Sequence, residues 1–109
     1  MKAELSVIKL FLEHPVWLEY GQDLTAKDFP EDLQLLYRTL ESHHKTQDTS
    51  LSLLDLASLF FSNNPKDKEF YEQVFDTLDK QDVSLEATKT LITHMKRAKI
   101  LRELSIGSY

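Results

Sequence analysis

Apolar residues recur at helical spacing along almost the whole chain. Leu5, Ile8, Phe11 and Leu12 fall on one side of a helix wound at about 3.6 residues per turn. That helix is expected to stop before Pro15, because a residue preceding proline is pushed toward extended geometry and His14 stands there. Val16 to Tyr20 then reads as one short helical turn ending at Gly21. Thr25 looks like an N-cap with Asp28 three residues on, and Phe29 is placed to start the next core layer. Pro30 suits the first turn of a helix whose apolar face is Leu33, Leu36, Tyr37 and Leu40.

KTQDTS reads as a loop, after which Thr49 or Ser50 is expected to cap LSLLDLASLFF. Leu53, Leu56, Ala57 and Phe60 share one face of that helix, while Leu51, Leu54, Leu59 and Phe61 fill others. Apolar on most sides, it is expected at the centre of its bundle. SNNP ends it, and Pro65 is expected to begin a helix with Phe70, Val74 and Leu78 in register. DKQDVS is the last boundary, with Ser84 as cap for a helix over about 85–106. Its row Leu91, Met95, Ala98, Leu101 and Leu104 keeps helical spacing, and a helix that long, about 33 Å, exceeds what a small bundle needs. Part of it is expected to project.

Strand signals are poor, since only Gly21 and Gly107 are glycine and no Asn-Gly or Asp-Gly turn occurs. The fold class expected is therefore all-α: one bundle over about 3–80, with a long C-terminal helix over about 85–106, giving five or six helices in a single domain of 109 residues. A composition of 41% hydrophobic and 28% charged residues fits a folded domain.

Charge alters the picture because it is unevenly divided. Residues 1–83 carry 16 acidic against 8 basic side chains, and residues 84–109 carry 2 against 5. An acidic body repels nucleic acid, so direct nucleic-acid binding is not expected. The N-terminal apolar run is interrupted by Glu4 and Lys9 and reads as neither a signal peptide nor a membrane span, so no membrane partner is expected. The absence of cysteine removes disulfides and thiolate metal sites and fits a reducing cytoplasm.

Candidate chemistry is sparse. His14, His43, His44 and His94 are the plausible transition-metal ligands, but His43 and His44 point about 100° apart and need another element to converge. Without an HExxH or an i, i+4 histidine pair, surface or cap positions are the default and no metal is expected. Asp28, Glu31 and Asp32 cluster at a helix N-terminus, where the macrodipole favours negative charge without catalysis. No phosphate loop or activated nucleophile is recognisable, so no catalytic residue and no cofactor is assigned. HMKRAKILREL is more informative. Lys96, Arg97, Lys99 and Arg102 either form a solvated face over a packed apolar row or rim an exposed row that docks on another chain.

The order AELSVIKLFLEHP, LTAKDF, LQLLYRTLESHHK, LSLLDLASLFF and DVSLEATKTLITHMKRAKILREL resembles the C-terminal helicase-interaction domain of bacterial replicative primase, the DnaG type, over nearly the whole chain. A structurally related family, the N-terminal domain of the replicative helicase of the DnaB type, also shares features: Ala3, Glu4, Ser6 and Val7, the LTAKDF segment and the leucine-rich helix. The helicase pattern has a Gly near Ile8 or Lys9, a Gly-Gly before its fifth helix and an NTP-type turn, none of which stands here. The DVS turn and the ITHMKR helix favour primase.

Either resemblance implies a protein–protein contact of the primosome that couples primer synthesis to fork unwinding. The primase reading implies the helicase N-terminal domain as partner, with catalysis in other domains of a parent nucleotidyltransferase. It also implies weaker helicase binding than a chain carrying the whole terminal hairpin. The helicase reading implies a collar domain of an ATP-dependent helicase that binds primase and self-associates. A free-standing adaptor or phage mimic acting on the helicase is the third alternative. The partner surface expected is Met95, Lys99, Leu101 and Arg102 on the late part of the last helix.

Overall fold

The computed structural model describes residues 3–107, with the side chains of 104–107 excepted. Six α-helices follow one another, α1 Glu4–Leu10, α2 His14–Tyr20, α3 Glu31–Thr46, α4 Leu53–Asn63, α5 Lys68–Lys80 and α6 Leu85–Gly107, with a 3-10 turn at Ala26–Asp28. The all-α bundle with a long last helix is thus what the chain forms. Neighbour contacts close a ring: α1 packs on α5, α5 on α4, α4 on α3, α3 on the 3-10 turn, that turn on α6, and α6 back on α1.

Inside the ring the helical spacing of the sequence becomes a core. Val7, Ile8, Phe11, Leu36, Tyr37, Leu40, Leu56, Phe60 and Leu78 are fully buried. α3 supplies the row expected of it, Leu33, Leu36, Tyr37 and Leu40, and adds His44. Phe29 stacks on Tyr37 with ring centroids 4.2 Å apart, so it does open the next core layer. Buried Tyr37 Oη donates toward the carbonyls of Gly21 and Leu24 at 3.2 and 3.4 Å, satisfying a polar atom that burial would otherwise penalise.

Local chemistry moves several boundaries. The extended residue at the first corner is Glu13 (φ −84°, ψ 119°), one earlier than expected, and His14 opens α2. Pro15 lies within the first turn of α2, where no intrahelical N–H is required, and the His14 amide is instead satisfied by Ser50 Oγ at 2.9 Å. Ser50 is thereby taken, and the cap of α4 is Ser52, whose hydroxyl accepts from the Asp55 amide at 3.0 Å. Pro65 precedes a turn, and α5 starts at Lys68 after Asp67, which adopts a left-handed conformation (φ 58°). The buried row of α5 is Tyr71, Phe75 and Leu78, the first two packed against Phe60 of α4; Val74 is half-buried and Phe70 exposed.

α4 is not central. It fully buries only Leu56 and Phe60, and Leu54 is 76% exposed. The centre is occupied by α3, which has α4 on one side and the 3-10 turn on the other. α6 has 23 residues, about 34 Å of helix, in a molecule of 43 × 29 × 29 Å. It turns Thr88, Ile92 and Met95 inward, with Leu91 half-buried, whereas Ala98, Ile100 and Leu101 are exposed. Leu104 of the expected row lies outside the described side chains. No helix is long and apolar enough to cross a membrane among the described residues.

Candidate interaction surface

The basic residues of α6 meet the acidic body of their own chain. Lys96 Nζ lies 3.7 Å from Asp23 Oδ2, Lys99 Nζ donates to the Asp23 carbonyl at 2.6 Å, and Arg102 donates to Asp28 Oδ1 at 2.9 Å. Asp28 has a buried side chain whose second oxygen accepts from the Thr25 amide at 2.8 Å. The acidic 22–28 segment and the basic helix therefore neutralise each other across more than seventy residues of chain.

That arrangement redistributes the four residues chosen as a partner surface. Met95 is 8% exposed and packs in the core. Lys99 and Arg102 are engaged with the 22–28 segment, although the Arg102 side chain remains partly open to solvent. Only Leu101, 67% exposed beside exposed Ile100, stands free of the body. Arg97 and His94 are likewise exposed on the outer side of α6.

A different apolar surface lies between α3 and α4. Leu35 and Leu59, 44% and 41% exposed, flank a groove of about 300 Å³ whose other walls include Arg38, His43, Asn63 and Asn64. Among the described residues no carboxylate lines it, which distinguishes it on a chain of net charge −5. The groove exists because α3 and α4 bury adjacent but not opposite faces. α3 directs Leu36 and Leu40 inward and leaves Leu35 on its shoulder, and α4 does the same with Phe60 and Leu59. At its far end Asn64 closes α4, its side chain donating to the Phe60 carbonyl at 3.1 Å. A second hollow of about 200 Å³, between α1, α3 and α5, has exposed Phe70 at its rim and Asp32 in its wall.

The histidines also part company. His43 and His94 lie nearer the surface, His43 Nε2 donating to the Thr49 carbonyl at 2.9 Å. His14 and His44 are buried, which corrects the surface positions expected of them. α2 is the converging element that the sequence alone could not supply, and it sets His14 Nδ1 2.8 Å from His44 Nδ1. Trp17 stacks on His44 at 5.1 Å with an interplanar angle of 18°. Burial pushes the His44 imidazolium below the ordinary histidine value despite the opposing bond to the Phe11 carbonyl. Among the described residues no group of three or more His, Cys, Asp or Glu side chains is placed to hold a metal ion.

No protein-family model matches this chain, and neither a curated protein nor a solved structure does.

Proposed function

We propose that this chain is a protein-docking domain of the bacterial primosome, the part of a DnaG-type primase that binds the N-terminal domain of the replicative helicase. The observation that carries the docking role is the Leu35/Leu59 groove, apolar at its edges and, among the described residues, free of carboxylate on an otherwise acidic protein. Exposed leucines from two helices give a partner helix two anchors, and Arg38 selects for an acidic flank. The choice of helicase as partner rests on the order of helical segments described above. Calorimetric titration with the purified N-terminal domain of a bacterial replicative helicase tests it. Saturable heat supports the assignment, and its absence at concentrations near 1 mM removes this partner.

One observation favours the helicase-collar reading as the alternative: Ile100 and Leu101 face solvent on the last turns of α6, where a second copy could cover them. Sedimentation equilibrium of the chain alone separates the two. A monomer across the accessible concentration range supports the primase side, and a dimer that Leu101→Ser dissociates supports the collar.

A further inference from the structure

The first corner of the fold is tied to the loop between α3 and α4 and, through His44, to the last turn of α3. The Leu51 amide donates to the Leu12 carbonyl at 2.9 Å, the His14 amide donates to Ser50 Oγ, and the two buried imidazoles meet at their Nδ1 atoms. The rings' protonation is dictated by their surroundings. His44 Nε2 lies 2.5 Å from the Phe11 carbonyl, which can only accept, so this nitrogen carries hydrogen. In neutral His44, Nδ1 is then a lone pair, and the hydrogen between the rings belongs to His14 Nδ1. The remaining nitrogen, His14 Nε2, points toward Asp48 Oδ1 at 3.8 Å.

We propose that the His14–His44 pair is a latch beside the 47–52 loop that holds while one hydrogen lies between the facing Nδ1 atoms and opens when both carry one. The bond between the rings needs the lone pair on His44 Nδ1. A proton added to His44 has only that atom to occupy. Two N–H groups then oppose each other in a buried site, beneath the Trp17 ring, and the bond becomes a repulsion.

The surrounding groups do not relieve that repulsion. α3 contributes His43, itself bonded to the Thr49 carbonyl of the same loop, and the Glu41–Lys45 pair at 3.9 Å. α2 has no acidic residue in its first turn, and Glu13 before it is exposed. Tyr37 is reached only through Trp17 Nε1, 3.4 Å from its hydroxyl, and burial holds that phenol protonated far above its usual range. The Asp48 carboxylate faces His14 from a solvent-exposed position. The lowered affinity of His44 for a proton agrees with this geometry. Opening frees Leu51 from Leu12 and loosens the entry to α4, one wall of the groove. The latch itself does not depend on what docks there.

The test is a titration of the intact chain with nitrogen-15-labelled histidine from pH 8 to pH 5, reading ring-nitrogen shifts together with hydrogen exchange at Leu51, corrected for intrinsic exchange. His44 is expected as the Nε2–H tautomer, with no hydrogen on Nδ1 while Leu51 stays protected. Leu51 protection is expected to fall by up to tenfold per pH unit below about 6.5. His44→Gln, whose amide can donate to Phe11 and accept from His14, is expected to keep that protection level. An Nδ1–H tautomer at His44, a doubly protonated His44 with Leu51 still protected, or an unchanged acid slope in His44→Gln would overturn the proposal. Should His44→Gln not fold, the tautomer and exchange data of the unsubstituted chain decide alone.

Discussion

Arg102 donates to Asp28 at 2.9 Å, so the last turns of α6 are tied to the 3-10 turn that precedes α3. The bond joins the basic end of the chain to its acidic body, and it turns a helix that the sequence offers to a partner into one held mostly in cis. Asp28 has its other oxygen on the Thr25 amide, so losing Arg102 leaves a buried carboxylate half satisfied. Arg102→Glu is therefore expected to lower stability by about 1–2 kcal/mol, less in high salt, and to increase amide exchange beyond Lys99. Urea unfolding followed by Trp17 fluorescence measures the first, and exchange the second.

The two faces of α4 give a contrast within one helix. Phe60 is fully buried against Tyr71, with ring centroids 4.5 Å apart, whereas Leu54 faces water. Phe60→Ala is expected to cost about 3–5 kcal/mol by opening a cavity, and Leu54→Ala to stay within about 0.5 kcal/mol. Comparable losses in the two variants, measured by urea unfolding, would return α4 to the centre of the bundle.

Gly21 is required for space. A β-carbon there would lie 2.5 Å from Trp17 Cδ1, and the indole is confined by its stack on His44. Gly21→Ala is expected to destabilise by about 1–3 kcal/mol and to shift the Trp17 emission, both readable in one thermal melt.

Acidification below the ordinary histidine value should weaken the fold through His44. His44 binds its proton less readily folded than unfolded, so its contribution to stability is complete above the ordinary histidine value of about 6.5 and is lost as pH falls toward the lower folded value. Urea midpoints are expected to decline from pH 7.5 to pH 5.5 in the unsubstituted chain and to decline less in His44→Gln.

How far the sequence could be read follows from the range of each interaction. Rows set by neighbouring turns were legible: Leu33, Leu36, Tyr37 and Leu40 on α3, and the Thr25–Asp28 pairing, which forms within four residues. α4 was misplaced because leucine on nearly every side names no inward face; the choice is made by Tyr71 and Phe75 on α5 and by Leu36 and Leu40 on α3. On α5 the buried face is Tyr71, Phe75 and Leu78 because Tyr71 and Phe75 pack against Phe60 of α4, a choice made outside the segment. The basic residues of α6 and the His14–His44 pair were visible as residues but not as contacts. Their partners lie 30 to 76 residues away, and no local spacing encodes that pairing. Leu35 and Leu59 carried no signal, since a single exposed leucine is ordinary and only the packing of α3 on α4 makes two of them a groove.

The proposed docking role is tested most directly by nitrogen-15 labelling of this chain and titration with the N-terminal domain of a bacterial replicative helicase. Saturable amide shifts at Leu35, Arg38, Leu59 and Asn63, reduced at least tenfold in apparent affinity by Leu35→Ser with Leu59→Ser, are the result expected from the groove. Saturable shifts that leave those residues still and fall on Ile100 and Leu101, or no shifts at all, would contradict it.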